Sequence, residues 1–171
     1  MSFEFNENSS KEEVLAAVAN YIDEQGFIVV DKDFNRPWGG FFVLDESQAD
    51  VFIKAYFPGY SKEQLTIGNK LSPKFLVVAP GMRLSWQYHH RRAEIWRVLS
   101  NSVKVSTSAT DEQSEPKIYQ EGDIIILQKG ERHRLIGDTG YGLVAEIWQH
   151  TDLEDPSDEE DIVRLQDDFG R

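Results

Sequence analysis

The chain has no cysteine. That excludes a disulfide framework and any thiolate metal site, so a bound metal must be held by nitrogen and oxygen donors. Long apolar runs are missing too. Nothing approaches the ~20 residues of a membrane-spanning helix, and Met1-Ser2-Phe3-Glu4-Phe5 lacks the basic and apolar regions of a signal peptide. No membrane partner is expected, and a cytoplasmic location is the default. Positive charge is scarce: 18 Lys and Arg stand against 30 Asp and Glu, a net charge of -12. Nucleic acid is therefore not an expected partner, because binding it requires basic surface that displaces counterions. The 171 residues, 40% hydrophobic and 12% aromatic, are enough for one core.

Ser10-Lys11-Glu12-Glu13 reads as a capping box, followed by Val14, Leu15, Val18, Tyr21 and Ile22 at helical spacing and closed by Gly26. One amphipathic N-terminal helix is expected within residues 1–35. Its apolar stripe packs either on the rest of the fold or on a second subunit, which would make a homodimer. Val51 to Phe57 reads as a strand or buried segment, and Ser61 to Leu65 as a short helix. From Lys74 onward short apolar strands alternate with Pro, Gly or polar turns, which points to a sandwich or barrel. The acidic stretch Thr151 to Glu160 reads as extended and solvated.

Gln87, His89 and Glu94 lie within eight residues of one another behind Pro80-Gly81, and His133 follows inside Lys129-Gly130-Glu131-Arg132-His133. One amide, two imidazoles and a carboxylate form a plausible divalent-metal set. On a strand, Gln87 and His89 share a face. Glu94 is an odd five residues from His89, so a turn at His90 to Ala93 is needed, returning Glu94 beside His89 on the neighbouring strand. His133 then comes from a later hairpin, with Ile124 to Leu127 as a buried strand and Lys129-Gly130 as the turn. A lone His or Glu near a strand end is ordinarily just solvated or hydrogen-bonded; the convergence of several sets this group apart.

Gly81, Gln87-x-His89 and Glu94 resemble the first cupin motif, with Gln in place of its first His. Gly122, Gln128-x-Gly130 and His133 resemble the second. Arg36-Pro37-Trp38-Gly39, the stretch Leu84 to Trp96, and Asp161-Ile162-Val163-Arg164 with Asp167 to Arg171 resemble the cupin domain of type II phosphomannose isomerases. The resemblance covers about residues 36–45 and 74–171. It implies a mainly β fold, a cupin jelly-roll barrel over 36–171 with an insertion at about 46–73, behind the N-terminal helix. It also implies that the C-terminal string folds back on the barrel. Arg164 and Arg171 there serve a structural ion pair or a phosphate, the ion pair being favoured because most Arg residues near carboxylates are simply paired at the surface. Arg91 and Ile95 depart from the family's His-rich string, and Asn101 stands where Gly is usual. Asn is the next best residue for a left-handed turn.

The activity so implied is aldose-ketose isomerisation of a phosphorylated sugar, with a zinc-like ion held by Gln87, His89, Glu94 and His133. Arg92 and Glu94 are the catalytic candidates. Between Arg83 and Arg134, 9 Lys and Arg outnumber 7 Asp and Glu, whereas the remainder has 9 against 23. That basic region suits a small anionic sugar phosphate, with Lys129, Arg134 and Trp96 as substrate-binding candidates. The base is unassigned. Alternatives are another phosphorylated sugar, such as a heptose phosphate, and a non-catalytic metal- and sugar-binding cupin in which Arg91 and Ile95 mark lost activity. An Fe-dependent oxygenase is a weaker third, since a Gln ligand argues against it. The related isomerases are often fused to a nucleotidyltransferase; this sequence shows no glycine-rich phosphate loop, so nucleotide-sugar synthesis is not expected.

Overall fold

Ser10 begins the first helix because its hydroxyl accepts from the Glu13 amide while the Glu13 carboxylate accepts from the Ser10 amide, satisfying two amides that have no helical partner. The computed structural model describes residues 8–170, and this helix, α1, spans Lys11–Glu24. Replacing Ser10 with Ala is expected to lower stability by about 1 kcal/mol, read from urea denaturation.

Strands β1 (Val29–Asp33) and β2 (Gly39–Leu44) follow, then α2 (Ala49–Tyr56) and α3 (Lys62–Leu65). Next come β3 (Leu71–Val78), β4 (Trp86–Tyr88), β5 (Arg92–Ser100) and β6 (Val103–Ser108). The chain continues through β7 (Lys117–Tyr119), β8 (Ile124–Leu127), β9 (Arg132–Gly137), β10 (Gly142–His150) and β11 (Val163–Gln166). They form two antiparallel sheets, ordered β1-β2-β3-β10-β5-β8 and β11-β4-β9-β6-β7. The expected mainly β barrel with an N-terminal helix is what forms.

Strand alternation divides the side chains of the six-stranded sheet between two cores. Phe75, Val77, Ile95, Leu99, Leu143, Ala145 and Ile147 face outward onto Val14, Leu15, Val18 and Ile22 of α1 and Phe52, Ile53 and Tyr56 of α2. Leu76, Val78, Trp96, Val98 and Val144 face inward and meet Val103, Val105 and Leu135 of the five-stranded sheet.

Three expectations need correction. Residues 51–57 are mostly helical: Phe52, Ile53 and Tyr56 are buried at helical spacing, and packing of that stripe on the outer face of β3 overrides the β propensity of Val, Phe and Ile. This stretch therefore backs the six-stranded sheet. The two expected hairpins are crossings between sheets: β4 pairs with β9 and β11, whereas β5 pairs with β10 and β8. Finally, β8 is an edge strand with Ile126 exposed. Asn101 adopts φ 61°, as its place in the turn requires, and Gly81, Gly122 and Gly130 are also left-handed. Among the described residues no helix is long and apolar enough to cross a membrane.

Candidate metal centre

The crossing at His90-Arg91 carries the chain from one sheet to the other, so Glu94 faces His89 across the barrel. On the five-stranded sheet Gln87 of β4 lies directly opposite His133 of β9, and directly opposed residues share a face. His89 follows just past the end of β4. The outcome is that one ligand atom each from His89, Glu94 and His133 lie within 4.8 Å of one another, all three residues buried. Gln87 and Glu94 line one cavity, with Gln87 Oε1 accepting from Ser85 Oγ.

Both imidazoles are oriented alike. His89 Nδ1 lies 2.7 Å from the Asp161 carbonyl and His133 Nδ1 lies 3.0 Å from the Glu131 carbonyl. Each therefore donates from Nδ1 and keeps its Nε2 lone pair, as metal-ligating histidines do. His89 Nε2 is 3.4 Å from Glu94 Oε1, and His133 Nε2 is 3.6 Å from Glu94 Oε2. Burial pushes the His89 imidazole down to about 3, so it stays neutral near pH 7. His133 Nε2 is buried with no hydrogen-bond partner. An orphaned lone pair aimed at a carboxylate is what a cation between them would resolve, so the donor set fits a divalent metal.

Arg92 and Trp96 frame this group. The Arg92 guanidinium donates to Glu94 Oε1 at 2.8 Å, to Ser157 Oγ at 2.9 Å and to the Asp158 carbonyl. Its Nη2 lies 3.2 Å from His89 Nε2, and it stacks 3.6 Å over Trp148. A metal held by His89 Nε2 would take the place of the Arg92 Nη2 contact to that nitrogen, leaving Nη2 available to a ligand. Trp96 Nε1 donates to Glu94 Oε2 at 3.0 Å and to Glu146 Oε2 at 2.7 Å, so it positions two carboxyl groups. Burial would raise the Glu94 carboxyl, but Arg92, His133 and His89 outweigh it and hold it below the usual range. Glu146, buried beside the Glu94 charge, is pushed up to about 8.

Two of the substrate-binding candidates lie elsewhere. Arg134 is on the face of β9 opposite His133, fully buried, donating to the Leu84 carbonyl, Gln113 and Gln166. It ties the C-terminal strand down and does not reach the cavity. Lys129 is exposed in the β8–β9 turn, beside His90 and Arg91 in a separate surface depression. Of the basic region only Arg92 lines the cavity; the other cations there are Arg36, Lys74 and Arg164. Arg171 lies outside the described residues.

The replaced family positions turn away from the cavity. Ile95 packs under the helices, and Arg91 pairs with Asp155 and Asp158. The acidic stretch Thr151 to Glu160 is irregular and largely exposed, as expected; Ser157 within it and Asp161 just beyond it are buried, and both meet the site.

Lys74, Glu146 and Trp148 were missed by sequence reasoning. For the two charges the signal was present, since Lys74 and Glu146 each stand in a mostly apolar strand, and a charge in such a run is buried only when it has partners.

Residues 44–167 match the family described as "Mannose-6-phosphate isomerase C-terminal". The chain belongs to that family. Xanthan biosynthesis protein XanB of Xanthomonas campestris pv. campestris is 31% identical over 126 residues, 73% of this chain and 25% of that protein. Alginate biosynthesis protein AlgA of Pseudomonas aeruginosa is 29% identical, covering 73% and 24%. A mannose-1-phosphate guanylyltransferase of Escherichia coli is 29% identical over 136 residues, 75% of this chain and 27% of that one. This member of the mannose-6-phosphate isomerase C-terminal family thus spans about a quarter of the length of these relatives. Among solved structures, oxalate oxidase in complex with glycolate superposes with a TM-score of 0.52 at 16% identity, covering 78% of this chain and 58% of that one; that likeness is one of fold alone.

Proposed function

We propose that the cavity binds a phosphorylated sugar against a zinc ion and interconverts its aldose and ketose forms, with mannose 6-phosphate as the first substrate to test. The observation that carries this reading is the orphaned His133 Nε2 beside Glu94 and His89. Family membership and the sugar-phosphate name of the guanylyltransferase relative support it.

In this reading Gln87, His89, Glu94 and His133 hold the cation, which when bound supplies Lewis-acid polarisation of adjacent carbonyl and hydroxyl oxygens. Trp96 fixes the Glu94 carboxylate. The walls of Trp38, Phe41 and Trp148 exclude water, which strengthens every charge interaction inside. Arg92 Nη2, released from His89, hydrogen-bonds a sugar hydroxyl. Glu146, a buried cavity carboxyl outside the ligand set, carries the proton between neighbouring carbons at its Oε atoms.

Elemental analysis beside a mannose 6-phosphate to fructose 6-phosphate assay in deuterated water tests this. Expected are bound zinc, turnover, and exchange of the C2 hydrogen with solvent. Glu146→Gln should keep its metal and lose about 100-fold in turnover. Metal and sugar-phosphate binding without C2 exchange would defeat the isomerase reading in favour of a binding cupin.

A further inference from the structure

Lys74 is a buried charge to which the reaction outlined above gives no task. It stands on the inner face of β3, 3% exposed. Its Nζ lies 4.0 Å from the Trp148 ring centre and 4.2 Å from that of Phe41. Two aromatic faces favour a cation, yet an ammonium taken out of water also needs an anion. That anion is Glu159, with Nζ 2.7 Å from Oε1.

The partner is unlike the lysine. Glu159 is half-exposed, at 51%, and sits on the irregular stretch between β10 and β11. Lys74, Glu159, Arg36 and Arg164 line the same cavity as Gln87 and Glu94. Its volume is about 60 Å³, several-fold below the roughly 300–1,000 Å³ of sites that enclose small organic ligands. A sugar phosphate therefore enters only if part of the wall gives way. Glu159 belongs to a part held by no sheet pairing, and its carboxylate already occupies the anion position on the wall.

We propose that Lys74 receives the phosphate of the sugar ligand, flanked by Arg36 and Arg164, and that the Glu159 carboxylate holds this position until the phosphate displaces it. The inference rests on the cavity being the ligand site, as in the function proposed above, but does not need catalysis. A phosphate monoester carries roughly -1.5 to -2 charge at pH 7 and three acceptor oxygens, so it outcompetes one carboxylate for a lysine in a cavity that Arg36 and Arg164 also line. Displacement of Glu159 also enlarges the cavity, coupling entry of the sugar to capture of its phosphate.

Calorimetric titration of the full chain with inorganic phosphate and with mannose 6-phosphate tests the exchange. If Glu159 occupies Lys74 about 90% of the time, its removal raises apparent affinity about tenfold. Glu159→Gln is therefore expected to bind both probes about tenfold more tightly than wild type. Glu160→Gln, which removes the same charge from the neighbouring exposed residue, should stay within about twofold, since exposed charges are screened. Lys74→Gln should weaken both probes about 10- to 100-fold, the loss of a hydrogen bond to a charged group, with metal content unchanged. Should Lys74→Gln fail to fold, the half-exposed Glu159 position decides alone. Unchanged or weaker binding by Glu159→Gln overturns the proposal, as does a folded Lys74→Gln that binds as tightly as wild type. Tighter binding by Glu159→Gln without any isomerisation upholds the subsite while sinking the isomerase; turnover with unaffected binding in both variants does the reverse.

Discussion

His133→Ala is expected to purify without divalent metal and without turnover while keeping its fold. The imidazole contributes its Nε2 lone pair to the site and little to the metal-free protein. Its Nδ1 donates to the nearby Glu131 carbonyl, and its Nε2 is buried without a partner, a liability of about 1–3 kcal/mol. Alanine removes that liability together with the packing of the ring against Trp96 and His89. The two effects oppose each other, so the metal-stripped variant should melt within a few degrees of metal-stripped wild type. Metal separates the two proteins. At a zinc concentration 1,000 times the dissociation constant, wild type gains about 4 kcal/mol of stability, and the variant gains none. Thermal melts with zinc and with chelator, beside elemental analysis, give the comparison. Equal metal content in the two proteins would remove His133 from the ligand set.

Parts of this architecture follow from local rules and were readable in the chain. The capping box at Ser10 forms as its spacing demands. Parity alone places Ile95 on the face opposite Glu94, and the structure buries it under the helices. The same parity argument, applied to Arg134, would have removed it from the pocket, since it adjoins His133 on one strand and must face the other way. Local charge density misled there. What was not legible is non-local. A turn at His90 to Ala93 reports that the chain changes direction, but not which sheet it joins, because that depends on strands 40 and more residues away, β9 and β10 among them. The acidic stretch is largely exposed, as its composition indicates, but composition says nothing of its partners. Arg91, Arg92 and Lys74 lie more than 60 residues upstream, and each meets this stretch, at Asp155 and Asp158, at Ser157, and at Glu159.

Those pairings make the acidic stretch part of the site, and Asp161 fastens it. Its Oδ1 accepts from the His90 amide at 2.9 Å; its Oδ2 accepts from the Arg91 amide at 3.0 Å and the Ser157 hydroxyl at 2.6 Å. Its carbonyl accepts from His89 Nδ1. Ser157 Oγ in turn accepts from Arg92, which donates to Glu94. A continuous chain of hydrogen bonds therefore runs from Asp161 to the carboxylate of the ligand set.

Asp161→Ala keeps the carbonyl but strands two backbone amides and a hydroxyl. Hydrogen bonds to a charged group contribute about 1.5–3 kcal/mol each, and bonds sharing one acceptor group do not add, so a loss of about 2–4 kcal/mol is expected. Zinc affinity should fall about 10- to 100-fold as the supported His89 ring loosens. The pH dependence has a definite sign. Burial pushes the Asp161 carboxyl up, but the Ser157 hydroxyl, the His90 and Arg91 amides and the Arg92 charge outweigh it, leaving the carboxyl lowered. A carboxyl lowered by folding stabilises fully above its unfolded value, about 3.9, and that stabilisation fades as pH falls through the folded value. Urea denaturation of wild type and variant should differ by the full amount at pH 7 and converge below about pH 4. A gap that persists unchanged into acid would mean the carboxylate charge is not what holds this segment against the barrel.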